Sequence, residues 1–269
     1  MDINSVDSSL YDDISQTSSI TLWTTFGVLS ALGLFMWVRA ITATQKRAIN
    51  SDNICMAVLL TGAFTYLGMS FGVGKELYAD KTGDHYRVTL QLRYIGRLVG
   101  GALLGYAVSH LARATRYMQL VLMVLWGIIV TSLRYGLLVE WDGRWSFWGF
   151  ALAVYVVYTY LLTFEIAQNV VDAEVQWTYN FLSTSTSVLI GFYFLFYVLG
   201  EIMQVVDVEV EIIVHCVMDF LLLGCLPTAI TFLENSVDEG LLPSQEQEMN
   251  LYPGPHKVGF HPNPEYYEN

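Results

Sequence analysis

The sequence predicts an all-α fold, a bundle of seven transmembrane helices. Three observations carry this. Apolar stretches long enough to span a bilayer recur along the chain, short polar breaks separate them, and 14% of the residues are charged against 54% hydrophobic. A soluble domain usually carries about 25% charged residues. A chain that has lipid as its solvent confines its charge to the breaks, because hydrocarbon offers polar groups no partner.

A helix needs about 20 apolar residues to cross about 30 Å of hydrocarbon. Residues 20–42 make the first such stretch, followed by 54–74, 90–112, 117–138, 146–164, 180–200 and 212–233. The short breaks make neighbouring spans antiparallel, so residues 19–233 form one membrane domain. The acidic first segment, 1–18, has four Asp and no Lys or Arg. It lacks the basic start of a cleavable signal, so the first span is expected to remain as an anchor. The segment 234–269 has seven acids, one Lys and five prolines (Pro243, Pro253, Pro255, Pro262, Pro264), and is expected to be an acidic disordered tail. The net charge of −12 therefore belongs mostly to the two ends, and the middle carries −2. No basic patch is left for nucleic acid. Cys55, Cys216 and Cys225 lie in or beside apolar stretches and read as small buried hydrophobes.

Ionisable groups deep in a span are costly unless paired, and mark candidate functional sites. The third span carries Arg93 and Arg97 at i,i+4, on one face. The seventh carries Glu211, His215 and Asp219 at steps of four. Such spacing predicts facing stripes of opposite charge, with Asp219 the deepest acid. The plainer reading is that such pairs only fix helix register. A metal site is not expected, since ligands stacked along one helix lie too far apart for one ion. Gly100, Gly101 and Gly105 thin the third span on one side, for close packing or to leave room for a ligand. Tyr155, Tyr158, Tyr160, Tyr193 and Tyr197 read as packing or interfacial aromatics.

Ala63-Phe64-Thr65-Tyr66-Leu67-Gly68-Met69 in the second span, Arg93-Tyr94 opening the third, Tyr193 and Tyr197 before Gly200, and Val217-Met218-Asp219 in the seventh stand in a familiar order. By these residues the chain resembles the microbial (type 1) rhodopsins along nearly all its length. The resemblance implies a seven-helix bundle of rhodopsin-like architecture, set in the cell membrane with an outside N-terminus and a cytoplasmic C-terminus. Basic residues do not settle orientation: Arg39, Lys46, Arg47, Arg113 and Arg116 fall on one side, Lys75, Lys81, Arg87, Arg134 and Arg144 on the other. The resemblance also makes Tyr66 and Tyr193 pocket tyrosines, Asp219 the second counter-ion, and Glu201 and Glu211 outer carboxylates.

The departures from the family pattern agree with one another. The family's retinal-bearing lysine, four residues after the aspartate, is here Leu223. Its first counter-ion carboxylate is Gly96, the tryptophan next to it Arg97, its inner proton donor Ala107 and its sixth-helix proline Phe194. Losing the lysine removes a buried cation, losing the carboxylate removes its partner, and Arg97 restores a cation near Asp219. Arg97 is thus expected to pair with Asp219, with Tyr66 and Tyr193 donating to the same carboxylate; a guanidinium stays charged when buried and offers five donors.

The expected function is that of a membrane protein without covalent retinal: a non-pumping partner, chaperone-like or sensory module, not an enzyme, assembled as a homo-oligomer or with another membrane protein. Two other readings stay open. One is passive proton or anion transport along Arg93, Arg97, Glu211, His215 and Asp219. The other is noncovalent binding of retinal, a carotenoid or a lipid in a pocket bordered by Gly100, Gly101, Tyr197 and His215.

Overall fold

A computed structural model describes residues 11–12, 14–42, 46–79, 86–139, 141–170 and 173–233. Residues 1–10 of the acidic first segment and all of the tail 234–269 lie outside the described residues. Among the described residues seven α-helices form the bundle: α1 (Gln16–Thr42), α2 (Lys46–Ser70), α3 (Gln91–Leu111), α4 (Arg116–Gly136), α5 (Trp141–Tyr160), α6 (Ala173–Tyr197) and α7 (Val208–Asp219). Six have the length and hydropathy of a membrane span. The seventh, α3, is 21 residues long but carries Arg93 and Arg97, and its hydropathy falls short. It packs on α2, α4 and α6 and on the continuation of α7, which cover its charged face.

Several helices begin before their apolar stretches do, because helical turns continue into the polar boundary where hydropathy falls. At α4, Thr115 caps the start by accepting from the Met118 backbone N–H at 3.3 Å. Three helices end in, or continue through, π-helical turns: Leu161–Glu165 after α5, Val198–Ile202 after α6 and Phe220–Cys225 after α7. From there α7 stays helical to Leu233. Such turns are common at functional positions. Here one carries Glu201 and another starts directly after Asp219.

One end of the bundle bears a small sheet that the hydropathy reading leaves as loop. β2 (Lys75–Ala79) pairs antiparallel with β3 (Tyr86–Leu90), and β1 (Tyr11–Asp12) adds parallel to β3. The acidic first segment thus includes a paired strand, and α1 starts inside it at Gln16. The turn from α2 into β2 uses Gly72 and Gly74 at φ 76° and 77°. A side chain at Gly74 would also press on the Leu92 backbone, 3.1 Å from its Cβ. Cys55 and Cys216 are buried as expected, but Cys225 is exposed on the outer surface, a correction to the reading of all three as buried.

Candidate functional site

The site is a row of buried charges that starts under the sheet and runs inward between α3, α6 and α7. At its inner end, α3 presents Arg97 to Asp219 of α7. Arg97 Nε donates to Asp219 Oδ1 at 3.1 Å and its Nη2 to Oδ2 at 3.3 Å, a two-pronged pairing. Tyr66 of α2 donates to Oδ2 at 2.6 Å, and Tyr193 of α6 donates to Oδ1. Asp219 is 2% exposed, so these groups replace the water it would otherwise hold. The Arg97 guanidinium also lies over the Tyr193 ring, 4.2 Å from its centroid. Trp126 of α4 fixes the backbone beneath it by donating Nε1–H to the Arg97 carbonyl at 2.8 Å.

His215, one turn before Asp219, joins this cluster. Arg97 Nη2 is 2.9 Å from His215 Nδ1, and the imidazole stacks on Tyr193 at 11° between planes. A guanidinium only donates, so Nδ1 accepts and the proton of the neutral ring sits on Nε2. That nitrogen faces Glu211 Oε1 at 3.9 Å.

Nearer the sheet, Arg93 Nη2 donates to Glu201 Oε1 at 2.5 Å and to Glu211 Oε1 at 3.0 Å. Tyr94 donates to the same Glu201 oxygen at 2.7 Å. Arg87 of β3 closes the row, donating through Nη2 to Glu211 Oε2 at 2.8 Å and to the Val206 carbonyl at 2.6 Å. Arg144 of α5 reaches the Glu201 carbonyl and covers the Tyr78 ring. Burial, then the Glu201 and Glu211 carboxylates, push the Tyr78 hydroxyl well above its ordinary value, so it remains a neutral O–H beside them. Glu201, Glu211 and His215 offer one ligand atom each within 4.8 Å of one another. These carboxylates are already paired with Arg87 and Arg93, so a divalent cation there would add uncompensated positive charge.

All of Arg93, Arg97, Tyr66, Tyr193, Glu201, Glu211, His215 and Asp219 therefore meet in one row. The four residues expected to border a pocket are instead in contact with neighbours. A Cβ on Gly100 would come within 3.0 Å of Leu223 Cδ2, and one on Gly101 would collide with the Trp126 indole. Tyr197 donates to the Leu133 carbonyl at 2.7 Å, and His215 is held by Arg97. Gly96 lies against Thr65 of α2, with no room for a side chain, and Leu223 is 2% exposed. Of the two readings of these glycines, close packing is the one their contacts favour.

Arg87, Tyr94, Trp126 and Arg144 belong to the site but are not among the candidate site residues read from the sequence. Tyr94 had a signal, since it comes directly after Arg93 in the opening of the third span. Arg87 and Arg144 had none, because loop arginines look alike until strands and helix ends place them.

The family model described as bacteriorhodopsin-like protein matches residues 16–222. No curated protein matches the sequence. Among solved structures, a light-driven proton pump from Leptosphaeria maculans is similar at TM-score 0.80 and 20% identity, covering 86% of this chain and 99% of its own. A light-driven proton pump from Coccomyxa subellipsoidea gives 0.78 and 21%, with 82% and 99% covered. Halorhodopsin, a light-driven chloride pump, gives 0.78 and 16%, with 84% and 98% covered.

Proposed function

The chain belongs to the bacteriorhodopsin-like family, and from that premise we propose that it is a member without covalent retinal, acting as a non-pumping partner, chaperone-like or sensory protein of the membrane. The observation that carries this reading is the closed pairing of Arg97 with Asp219. A protonated Schiff base needs a carboxylate counter-ion, and both Asp219 oxygens are engaged by Arg97, Tyr66 and Tyr193.

Retinal linked as a Schiff base does not fit the residues present. The linkage needs an amine, and α7 with its continuation, Val208–Leu233, contains no lysine. Four residues after Asp219 stands Leu223, packed toward Gly62 and Gly100. Of the four lysines, Lys75 opens β2 at the bundle's end, and Lys46 opens α2 at the opposite end. Lys81 and Lys257 lie outside the described residues. By the family resemblance, the sheet faces outside and the C-terminus the cytoplasm. The function then rests on contacts with a second copy or another membrane protein rather than on a photochemical cycle.

A second reading, passive passage of protons or an anion, draws on the continuity of the row from Arg87 to Asp219. The packing deeper in the bundle weighs against it. Beyond Asp219, between α1, α2, α3 and α7, the buried side chains include Leu29, Leu59, Leu104, Leu222 and Leu226. Such an apolar layer offers a proton or anion no partner.

The test is an absorption spectrum of protein expressed with all-trans-retinal and then treated with hydroxylamine. The expected result is a flat visible region. A band bleached by hydroxylamine overturns the proposal. A band that resists it assigns a noncovalent pigment. A proton leak in vesicles that Asp219→Asn abolishes would favour the transport reading.

A further inference from the structure

The end of the bundle opposite the sheet is divided by charge. α1 and α3 end there, and α2 and α4 begin there. α2 opens with Lys46-Arg47, and the short turn from α3 into α4 carries Arg113 and Arg116. Asp52, the acid nearest in sequence to the start of α2, already pairs with Arg39 at 3.4 Å. The connection from α5 to α6 at the same end holds Glu165, Asp172 and Glu174 instead.

The basic side runs against helix electrostatics. Helix starts favour acids, because their unpaired backbone N–H groups carry partial positive charge. α5 and α7, which start at the sheet end, follow this with Asp142 and with Glu209 and Glu211. α2 and α4 have no acid in their first turns. Arg113 stands just past α3 at φ 53°, a backbone position that favours glycine. Arg113 and Arg116 are both exposed, and neither has an ion-pair partner among the described residues. Positive charge on this side is therefore uncompensated by the bundle.

The chain itself carries the missing charge. The continuation of α7 packs on α2 and α3 and stays helical to Leu233, at this same end. Residues 234–248, which come next, hold five acids and no Lys or Arg. Asp238 and Glu239 follow Leu233 by five and six residues, a reach of up to about 17–21 Å. That spans about two helix spacings of 8–10 Å, enough to pass from α7 over α3 to the start of α4.

We propose that the acidic segment 234–248 docks on this basic side, with its carboxylates against Arg113, Arg116 and the start of α2. Tethering holds these acids at an effective concentration of about millimolar, ahead of a free acidic partner. Anionic lipid headgroups are the competing occupant.

The test is photo-cross-linking of the full chain in nanodiscs, with p-benzoylphenylalanine replacing Tyr117, which is 75% exposed beside Arg116. Cross-linked peptides are mapped by mass spectrometry. In phosphatidylcholine the probe should capture residues 234–248, and the yield should fall as salt is raised. Arg113→Gln and Arg116→Gln should each lower it about threefold, the middle of the range for an exposed ion pair. Asp238→Asn with Glu239→Gln should lower it similarly without touching the bundle. Absence of the tail peptide overturns the proposal, as does a yield indifferent to salt and to both sets of substitutions, which would report tethering alone. Replacement of tail adducts by lipid adducts when phosphatidylserine is added also overturns it, and makes this side a surface for anionic lipid.

Discussion

Arg97 and Asp219 are each buried only because the other is present. Removing one partner of a buried ion pair leaves an uncompensated charge and costs about 3–5 kcal/mol. Arg97→Ala should therefore lower stability by about that amount, measured by denaturant unfolding in detergent. The double variant Arg97→Met with Asp219→Leu should lose less than the single Arg97→Ala, because no charge is stranded. Additive losses would show that the two residues act independently. This level of the site was the most legible in the sequence. Arg93 and Arg97 at i,i+4, and Glu211, His215 and Asp219 at steps of four, define facing stripes from spacing alone. What spacing does not give is rotation about the helix axis. Arg93 falls to Glu201 and Glu211 and Arg97 to Asp219 because α6 brings Glu201 in on the sheet side.

At the scale of elements, α3 is held by what meets its glycines. Gly96 faces Thr65, Gly101 the Trp126 indole, and Gly105 the Tyr158 hydroxyl, 2.9 Å from where a Cβ would sit. Gly101→Ala should destabilise by about 1–3 kcal/mol, the usual cost of overpacking, read as a lower midpoint of thermal unfolding. Gly149 in α5 has nothing within 4 Å of where a Cβ would sit, so Gly149→Ala should stabilise by about 0.5–1 kcal/mol from helix propensity alone, read as a higher midpoint. Opposite signs for one substitution type distinguish packing from propensity. The sequence showed the glycines but not which reading of them applied, since packing and pocket demand the same small residue. The sheet was illegible for another reason. Its strands, five residues each in β2 and β3, pair across residues 80–85 and read as a polar break between spans. Arg87 entered the row unseen with them.

At the scale of the whole molecule, seven spans were legible because hydrocarbon thickness sets helix length and charge must retreat to the breaks. The likeness to light-driven pumps, at 16–21% identity, shows the shared bundle. Within that bundle this chain places a guanidinium on α3 and a leucine on α7, and the two changes together support a membrane protein that works without a linked chromophore. The most direct test is the intact mass of protein expressed with all-trans-retinal and reduced with borohydride, which makes any Schiff base permanent. The expected mass is that of the polypeptide alone. A mass increased by one retinyl group would contradict it, and peptide mapping would then name the lysine that carries the group.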